Sequence, residues 1–329
     1  MTTDRAQLVG TALAALWLVA LAVVDLVLPG GRVILTPLFA LSPLIACAVL
    51  PASVTAAFAA GAVLLALAAG AWDDTWATAQ QTVRVVDVAL VGAAAVVVAA
   101  VRVHREERHA RVVAIAEIAQ RAILPIVPRR AGPVAAAVRY LSAAEDAVVG
   151  GDLYDCYHSA AHTRFLVGDV RGKGIGAVEQ AARVIRAFRQ SAATEATLAG
   201  VAEDMSSYLQ HFFDDEEFVT AVLVEVLDDT TLSLVSCGHP QPLLVRGDGP
   251  ASTVDLPAGL PLGLGGGFEA ATMSWQPGDR LLAYTDGLSE ARDRHGRFLP
   301  VLMLAPAVKA DSVDQALDDV LDAVRQHVP

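Results

Sequence analysis

The hydrophobic positions form two different patterns along the chain, and the first of them occupies residues 1–103. Four apolar stretches follow one another there, at about Leu8–Leu28, Val33–Leu50, Ala52–Gly70 and Val83–Val103. Each is close to the ~20 residues that a helix needs to cross a hydrocarbon core of ~30 Å. Four such runs in succession would be unusual in one soluble domain. The pattern therefore predicts a transmembrane region of four helices over residues 1–103.

The segments between and after these stretches predict how the chain crosses the membrane. The breaks are Pro29-Gly30-Gly31, Pro51 and the loop Trp72-Asp73-Asp74-Thr75-Trp76, whose tryptophans suit the membrane interface. Four arginines cluster at the end of the fourth stretch and directly after it: Arg102, Arg105, Arg108 and Arg111. Basic residues near span ends favour the cytoplasmic side, and an even number of spans leaves both termini on one side. We expect a multi-pass protein of the cell membrane whose following domain is cytoplasmic.

Residues 104–124 have a third character, charged but with helical spacing of apolar positions. Val112, Ile115, Ile118 and Ile123 recur at intervals of three to five residues, and Pro125 ends the run. The spacing predicts a linker helix over 104–124. It is compatible with a plain connecting helix and with a short coiled coil that joins two copies into a homodimer.

Residues 125–329 alternate between strand-like and helix-like segments. Gly176–Ser191 and Leu198–Phe212 have helical spacing, and Asp228-Asp229-Thr230 is a plausible hairpin turn. The predicted strands are Ala135–Leu141, Thr163–Val167, Thr220–Leu227, Thr231–Ser236, Pro242–Arg246 and Arg280–Thr285. Hairpin-connected strands with helices in separate blocks predict a layered α+β fold.

Charge narrows the choice of partners. Residues 1–111 contain seven basic and seven acidic residues, so the whole net charge of −12 lies in residues 112–329. An acidic body has no basic surface to displace phosphate counterions, which argues against nucleic-acid binding. The three cysteines, Cys47, Cys156 and Cys237, are scattered and odd in number, as in a reducing compartment.

Three short motifs place an aspartate where strand-like sequence meets glycine or a turn. They are Gly150-Gly151-Asp152, the run from Gly168-Asp169-Val170 to Gly174, and Thr285-Asp286-Gly287. Small residues let the backbone approach a ligand closely, and carboxylates that converge can hold hard cations. The eight histidines show no pairing at metal-ligand spacing, so oxygen ligation of two Mn²⁺ or Mg²⁺ ions suits these residues better than zinc.

The order of these motifs and their surroundings resembles the stage-II-sporulation-E-type branch of the PPM, or PP2C-like, bacterial phosphatases. The resemblance covers about Gln120 to the end. It is carried by Gln120–Pro125, Gly150–Tyr154, Val167–Gly174, Phe218–Ala221, Cys237–Leu244, Leu260–Leu264 and Pro277–Gly287. It implies an α-β-β-α phosphatase domain over residues 125–329.

By position, the resemblance also implies a role for each aspartate. Asp169 would bridge two metal ions and the Val170 carbonyl would bind one of them. Asp152 would hold one ion and Asp286 the other. A metal-activated water would then hydrolyse phosphoserine or phosphothreonine in a regulatory phosphoprotein of the anti-sigma-factor-antagonist type. His239 lies in a Gly-His-Pro turn, and we do not assign it to catalysis.

One departure from the family pattern keeps a second function open. The resemblance implies an Asp-containing strand after the last helix that supplies a further metal ligand, and the sequence stops at Val328-Pro329. Asp318-Asp319-Val320 looks similar, but the surrounding apolar residues have helical spacing. The alternative function is a weakly active or inactive membrane-bound regulator that binds a phosphoprotein. A transporter is a third, weaker alternative, because the four spans have short connections and few polar residues.

Overall fold

A computed structural model describes residues 2–27, 35–72, 76, 78–141, 150–214 and 216–328, with the side chains of residues 2–4 and 72 left out. The chain divides into two compact units, Met1–Arg111 and Val112–Pro329. We describe each unit by itself.

In the part that the structure describes, all regular secondary structure of the first unit is helical. Its elements are α1 (Thr2–Val27), a 3-10 turn (Thr36–Ala40), α2 (Leu41–Val49), α3 (Ala52–Trp72) and the first part of α4 (Ala79–Ile123). Three helices, α1, α3 and α4, are long and apolar enough to cross a membrane. The second predicted span is only a five-residue 3-10 turn and a nine-residue helix. The predicted count of four spans is therefore not confirmed.

Parts of that prediction fall on residues that the structure does not describe. They are the Pro29-Gly30-Gly31 break, the start of the second stretch at Val33, and Asp73-Asp74-Thr75 with the Trp72 side chain. Trp76 is described, and its side chain is exposed.

Small residues bring the helices of the first unit together. Ala62, Ala66 and Ala69 of α3 are fully buried and share a cluster with Val88 of α4. A Cβ atom on Gly92 would stand 3.0 Å from the Cβ of Ala59. Because small side chains let helix backbones approach closely, the Ala- and Gly-rich third stretch acts as the packing surface of this unit.

The predicted linker helix forms the C-terminal part of α4, which is a single helix of 45 residues. It ends at Ile123 because Pro125 disfavours helical geometry in the residue before it. Within the second unit, Ala116 and Gln120 of this helix are buried, whereas Val112, Ile115 and Ile118 are exposed.

The second unit contains two main sheets. The larger is antiparallel, with strand order β3-β4-β5-β6-β9, and the smaller has the order β10-β7-β8. The strands of the larger sheet are β3 (Asp152–His158), β4 (Thr163–Val170), β5 (Val219–Asp228), β6 (Thr231–Cys237) and β9 (Ala270–Ser274). Those of the smaller are β7 (Leu243–Val245), β8 (Ala251–Thr253) and β10 (Arg280–Leu282). A short hairpin, β1 (Arg130–Ala131) and β2 (Val134–Ala135), precedes them.

Helices cover the outer face of each sheet. The first pair, α5 (Ile175–Thr194) and α6 (Leu198–Gln210), shares a buried cluster with the larger sheet through residues such as Phe188 and Leu223. The smaller sheet packs against α8 (Ala305–Val308) and α9 (Val313–His327). A third cluster, which includes Leu234 and Leu281, joins the two sheets. The layers are therefore α-β-β-α, as the resemblance implied.

Most of the predicted elements of this unit are confirmed within a few residues. The helices at Gly176–Ser191 and Leu198–Phe212 correspond to α5 and α6. The predicted hairpin turn joins β5 to β6, and the Asp228 carboxylate accepts a hydrogen bond from the Thr230 amide at 2.7 Å.

One strand prediction was wrong, and three strands of the two main sheets were missed. Ala135–Leu141 is not a strand beyond Ala135, and β3, β8 and β9 were not predicted, although β3 begins at a candidate site residue. Polar residues obscure β3 in the sequence, because Asp155 is buried within the strand and forms an ion pair with Arg189 of α5. A buried, paired carboxylate interrupts the apolar alternation by which strands are recognised.

Candidate functional site

Two of the predicted site residues lie side by side in the larger sheet. Asp152 is the first residue of β3, and Asp169 is the last but one of β4. Because the two strands are antiparallel, the start of β3 lies beside the end of β4, and Asp152 and Asp169 are direct Cα partners. Strand register thus brings two of the aspartates together.

Glycine makes the close approach of these strand ends possible. A Cβ atom on Gly151 would collide with the carbonyl oxygen of Val170, and one on Gly168 would stand 2.7 Å from the carbonyl oxygen of Thr220. The Val170 amide in turn donates to the Gly151 carbonyl at 3.1 Å. The predicted carbonyl ligand, Val170, therefore lies against the Gly-Gly-Asp motif.

The third predicted carboxylate enters from the other sheet. Asp286 is the first residue of α7, a single turn over Asp286–Ser289 that follows β10. Its charge raises the pKa values of both Asp152 and Asp169, so it lies near both. Thr285, which sequence reasoning did not single out, has its side chain near the Asp152 carboxylate and lowers the pKa of Asp152.

The electrostatics of the cluster show an excess of negative charge. Burial raises the pKa of Asp169 to about 7, with further contributions from Asp152 and then Asp286. The pKa of Asp152 is also raised, first by burial and then by Asp286, against the lowering effect of Thr285. Lys173 opposes the shift at Asp169, and it does not offset the burial and the neighbouring charges. A bound cation would relieve this repulsion.

The residues fit a hard divalent cation by their chemistry. Carboxylate and carbonyl oxygens are the ligands that Mg²⁺ and Mn²⁺ prefer, and the three aspartates and Val170 supply them. Within the described ranges, however, no group of three or more His, Cys, Asp or Glu side chains is already arranged as a closed metal site. The three aspartates are near enough together for their charges to raise the pKa values of Asp152 and Asp169, but their carboxylates do not surround a common point.

The loop after Asp169 leads into α5 through two glycines with positive φ. Gly172 has φ 116° and Gly174 has φ 86°, backbone conformations that other residues rarely adopt. Arg171 is held away from the carboxylates, because it donates to the Glu216 carbonyl at 2.6 Å and its guanidinium lies 5.4 Å from the Phe218 ring centroid. Lys173 is consequently the cation that this loop directs toward Asp169.

His239, the histidine of the Gly-His-Pro turn, is buried. Its Nδ1 lies 3.1 Å from the Thr220 hydroxyl oxygen. Its Nε2 has no partner within hydrogen-bonding geometry among the described residues, although the backbone of Tyr284 raises its pKa slightly. Burial dominates and lowers the pKa of His239 to about 4. A neutral, enclosed imidazole is a poor proton donor near pH 7, so no catalytic role is assigned to it.

The Asp318-Asp319 pair is helical, as its spacing predicted. Both residues lie in α9, where Asp318 forms an ion pair with Arg139 at 2.8 Å and Asp319 accepts from Gln315 at 2.6 Å. Arg139 lowers the pKa of Asp318. These two carboxylates are engaged in helix and surface contacts and are not part of the cluster.

Comparisons with known proteins identify the family and support the fold of the second unit. The sequence model of the family described as Stage II sporulation protein E (SpoIIE) matches residues 159–329, just over half of the chain. Among solved structures, the RsbU and RsbW domains of Rv1364c from Mycobacterium tuberculosis are 28% identical with a TM-score of 0.50. That match covers 56% of this chain and 54% of the other, so the chain spans about half the length of that structure.

Two further solved structures are similar at lower identity. The PP2C phosphatase domain of SpoIIE from Bacillus subtilis, solved with a fragment of its regulatory domain, is 19% identical with a TM-score of 0.46. It covers 55% of this chain and 54% of the other. The SiaA PP2C domain of Pseudomonas aeruginosa is 15% identical with a TM-score of 0.46, covering 54% and 74%. The family match extends over more than half of the sequence and includes Asp169 and Asp286, and the chain therefore belongs to the SpoIIE family of PP2C-like phosphatases.

Proposed function

We propose that this protein is a membrane-anchored, metal-dependent serine/threonine phosphatase whose substrate is a regulatory phosphoprotein. The observation that carries the proposal is the convergence of Asp152 at the start of β3, Asp169 near the end of β4 and Asp286 at the start of α7. Like charges gathered at a partly buried site are costly unless a cation compensates them. Such a site suits a reaction that needs positive charge next to a phosphoryl group.

Each residue of the cluster has a distinct part in this proposal. The charges of Asp152 and Asp286 both raise the pKa of Asp169. Asp169 would therefore be the shared ligand of two Mn²⁺ or Mg²⁺ ions, with Asp152 and Asp286 each holding one. The Val170 carbonyl would bind one ion from the β4 end. When bound, such a pair of ions supplies acidified water and neutralises phosphoryl oxygens. Lys173 would attract the phosphate, and Thr285 would orient the Asp152 carboxylate.

The substrate class is proposed from the family resemblance and from charge. A phosphoserine or phosphothreonine in an anti-sigma-factor antagonist is the substrate that the resemblance implies. The matched Rv1364c structure joins an RsbU domain to an RsbW domain, which supports a role in the same kind of regulatory system. The net charge of −12 makes nucleic acid an unsuitable partner.

Localisation in the cell membrane rests on the three apolar helices α1, α3 and α4. The arginines at the end of the last apolar stretch support a cytoplasmic position of the phosphatase domain. A homodimer through the linker helix is supported by the exposed side chains of Val112, Ile115 and Ile118.

We expect a reporter fused after residue 110 to show cytoplasmic activity, and activity confined to the outer side would contradict this orientation.

The experiment that tests the proposal is metal-dependent turnover by the full-length protein in detergent. We expect hydrolysis of p-nitrophenyl phosphate, and of a phosphorylated antagonist protein, only with added Mn²⁺ or Mg²⁺. Asp169→Asn keeps the shape but removes the shared charge, so turnover should fall by at least about a hundredfold. Asp152→Ala and Asp286→Ala should lose no more than Asp169→Ala.

The same experiment separates the second candidate function. That candidate is a weakly active or inactive regulator that binds a phosphoprotein, and it is favoured by the open arrangement of the aspartates within the described residues. Phosphoprotein binding without metal-dependent turnover would support it. Equal turnover in EDTA, or near-wild-type turnover by Asp169→Asn, would contradict the metal mechanism altogether.

A further inference from the structure

A glutamine of the linker helix contacts the backbone on both sides of the candidate ligand Asp152. The Nε2 of Gln120 donates to the Gly150 carbonyl at 3.0 Å and to the Asp152 carbonyl at 3.2 Å. Its Oε1 accepts from the Tyr140 hydroxyl at 3.1 Å. All of these residues lie in the second unit, and the Gln120 residue is only 3% exposed.

The contacts also fix which way round the amide lies. Two carbonyl oxygens face one end of the amide and a hydroxyl group faces the other. A flipped amide would set its oxygen against both carbonyls, so the chemistry of the partners requires the nitrogen there. The amide is held at both ends and cannot rotate without losing bonds.

The position of β3 explains why a side chain is needed there. β3 lies at one end of the strand order in the larger sheet, so one side of its backbone has no neighbouring strand. The Gly151 carbonyl points to β4 and accepts from the Val170 amide. The carbonyls of Gly150 and Asp152 alternate to the open side, where Gln120 satisfies both.

The helix that carries Gln120 is itself anchored. Ala116 and Gln120 are buried one turn apart on the same face, and Ala116 packs against Val178 near the start of α5. The amide therefore projects from a fixed helix face onto the start of β3. Three consecutive carbonyls thus accept hydrogen bonds. Those of Gly150 and Asp152 accept from Gln120 on the helix side, and that of Gly151 accepts from the Val170 amide of β4.

We propose that Gln120 is a positioning residue that holds the Gly-Gly-Asp segment, and with it the Asp152 carboxylate, in the geometry required for metal binding. The inference rests on the proposed metal-dependent function. Gln120 acts through Asp152 and itself touches neither the metal nor the substrate. Loss of its two donated bonds lets the start of β3 relax, which weakens metal binding more than it weakens the chemical step.

The test is Mn²⁺ binding by the full-length protein in detergent, followed by the decrease of the electron paramagnetic resonance signal of free Mn²⁺. Gln120→Met keeps the length of the side chain and removes the donor. Its Mn²⁺ dissociation constant should rise about tenfold or more, the range found for residues that orient metal ligands. Gln120→Glu sets a carboxylate against two carbonyls, so it should weaken Mn²⁺ binding at least as much as Gln120→Met does.

Gln180 offers a matched control. It is also a buried glutamine, at 9% exposed, and its Nε2 donates twice, to the two carboxylate oxygens of Glu217 at 3.1 and 3.0 Å. Gln180→Met removes a similar pair of bonds away from Asp152, so Mn²⁺ affinity should stay within about twofold. Tyr140→Phe, which frees only the far end of the Gln120 amide, should weaken Mn²⁺ binding by about two- to fivefold and keeps the test valid if Gln120→Met does not fold.

A split between binding and turnover identifies a positioning role. Saturating Mn²⁺ should restore most of the kcat of Gln120→Met, whereas a general loss of structure would lower kcat at every Mn²⁺ concentration. Equal affinities in the Gln120→Met and Gln180→Met variants would overturn this inference and leave the phosphatase proposal intact. Absence of Mn²⁺ binding in the wild-type protein would overturn both.

Discussion

The two ends of strand β4 treat buried charge in opposite ways. Arg164, the second residue of the strand, is completely buried and fully compensated. Its Nε donates to Glu225 at 2.8 Å, and its terminal nitrogens donate to the carbonyls of Ala192, Glu195 and Ala196 at 2.7–3.3 Å. His162 also contacts Glu225, at 2.7 Å. Every charge at this end has an opposite charge or a carbonyl dipole beside it.

At the other end of the same strand, Asp169 has like charges as neighbours. Asp152 and Asp286 raise its pKa together with burial, and only Lys173 acts in the opposite direction. Arg164, whose charge is compensated by the fold, and Asp169, whose charge is not, are thus only five positions apart on one strand. The charged residues at the Arg164 end therefore stabilise the fold. At the Asp169 end the carboxylates repel one another, and a bound cation would relieve that repulsion.

The largest effect should follow from breaking the compensated end. Arg164→Met removes the guanidinium while keeping an apolar stem. It leaves Glu225 without its buried cationic partner and three carbonyls without the guanidinium as donor. Removing one partner of a buried pair typically costs about 3–5 kcal/mol, so thermal unfolding of the second unit should shift strongly downward. Below that transition, the Mn²⁺ concentration for half-maximal activity should match the wild type.

An exposed ion pair of the same type provides the control for that variant. Arg297 bonds Asp293 through Nε at 2.8 Å, but its side chain is 76% exposed. Surface pairs are worth about 0–1 kcal/mol, so Arg297→Met should hardly change the transition. A small shift in Arg164→Met, or an equal shift in both variants, would refute the structural role assigned to this end of β4.

The sequence predicts the uncompensated end better than the compensated one. Glycine beside aspartate at strand ends is a local signal, and it identified Asp152, Asp169 and Asp286 as residues that would converge. Arg164 and Glu225 lie 61 positions apart and meet only through the register of β4 and β5. No local pattern announces such a pair, because register is settled by the packing of whole strands.

The same distinction explains what was missed around the site. Gln120 reaches the Gly150 carbonyl from 30 residues away, and its role depends on β3 being an end strand, an element that the sequence pattern did not reveal. The second predicted span is not confirmed, for a different reason. Hydropathy reports apolar composition, whereas a 3-10 turn with Pro37 and a short α2 occupy part of that stretch.

A smaller effect, of opposite sign, should follow from neutralising the uncompensated end. Without metal, an ionised Asp169 destabilises the folded state because burial and its two neighbours disfavour its charge. Asp169→Asn removes that charge at nearly constant shape. After allowance for solvent screening of a partly exposed group, the metal-free protein should gain roughly 1–2 kcal/mol at pH 8. For a domain of this size, that corresponds to a rise in Tm of about 2–4 °C per kcal/mol.

The pH dependence of that gain follows from the direction of the shift. The folded-state pKa of Asp169, about 7, lies above the ordinary value of 3.8, so the folded state binds the extra proton between these two values. The contribution of Asp169 to wild-type stability in EDTA should therefore fall as pH rises from 4 to 7 and then level off, and the difference from Asp169→Asn isolates it from other titrating groups. The advantage of Asp169→Asn should be absent near pH 4, grow through that window and reach its full size above pH 7. Circular dichroism melts in EDTA at pH 4, 5.5, 7 and 8 measure it directly.

Added Mn²⁺ should stabilise the wild type and leave Asp169→Asn nearly unchanged, reversing their order at pH 8. A variant that melts below the wild type in EDTA at pH 8 would show that Asp169 is compensated like Arg164, and the contrast between the two ends of β4 would not hold.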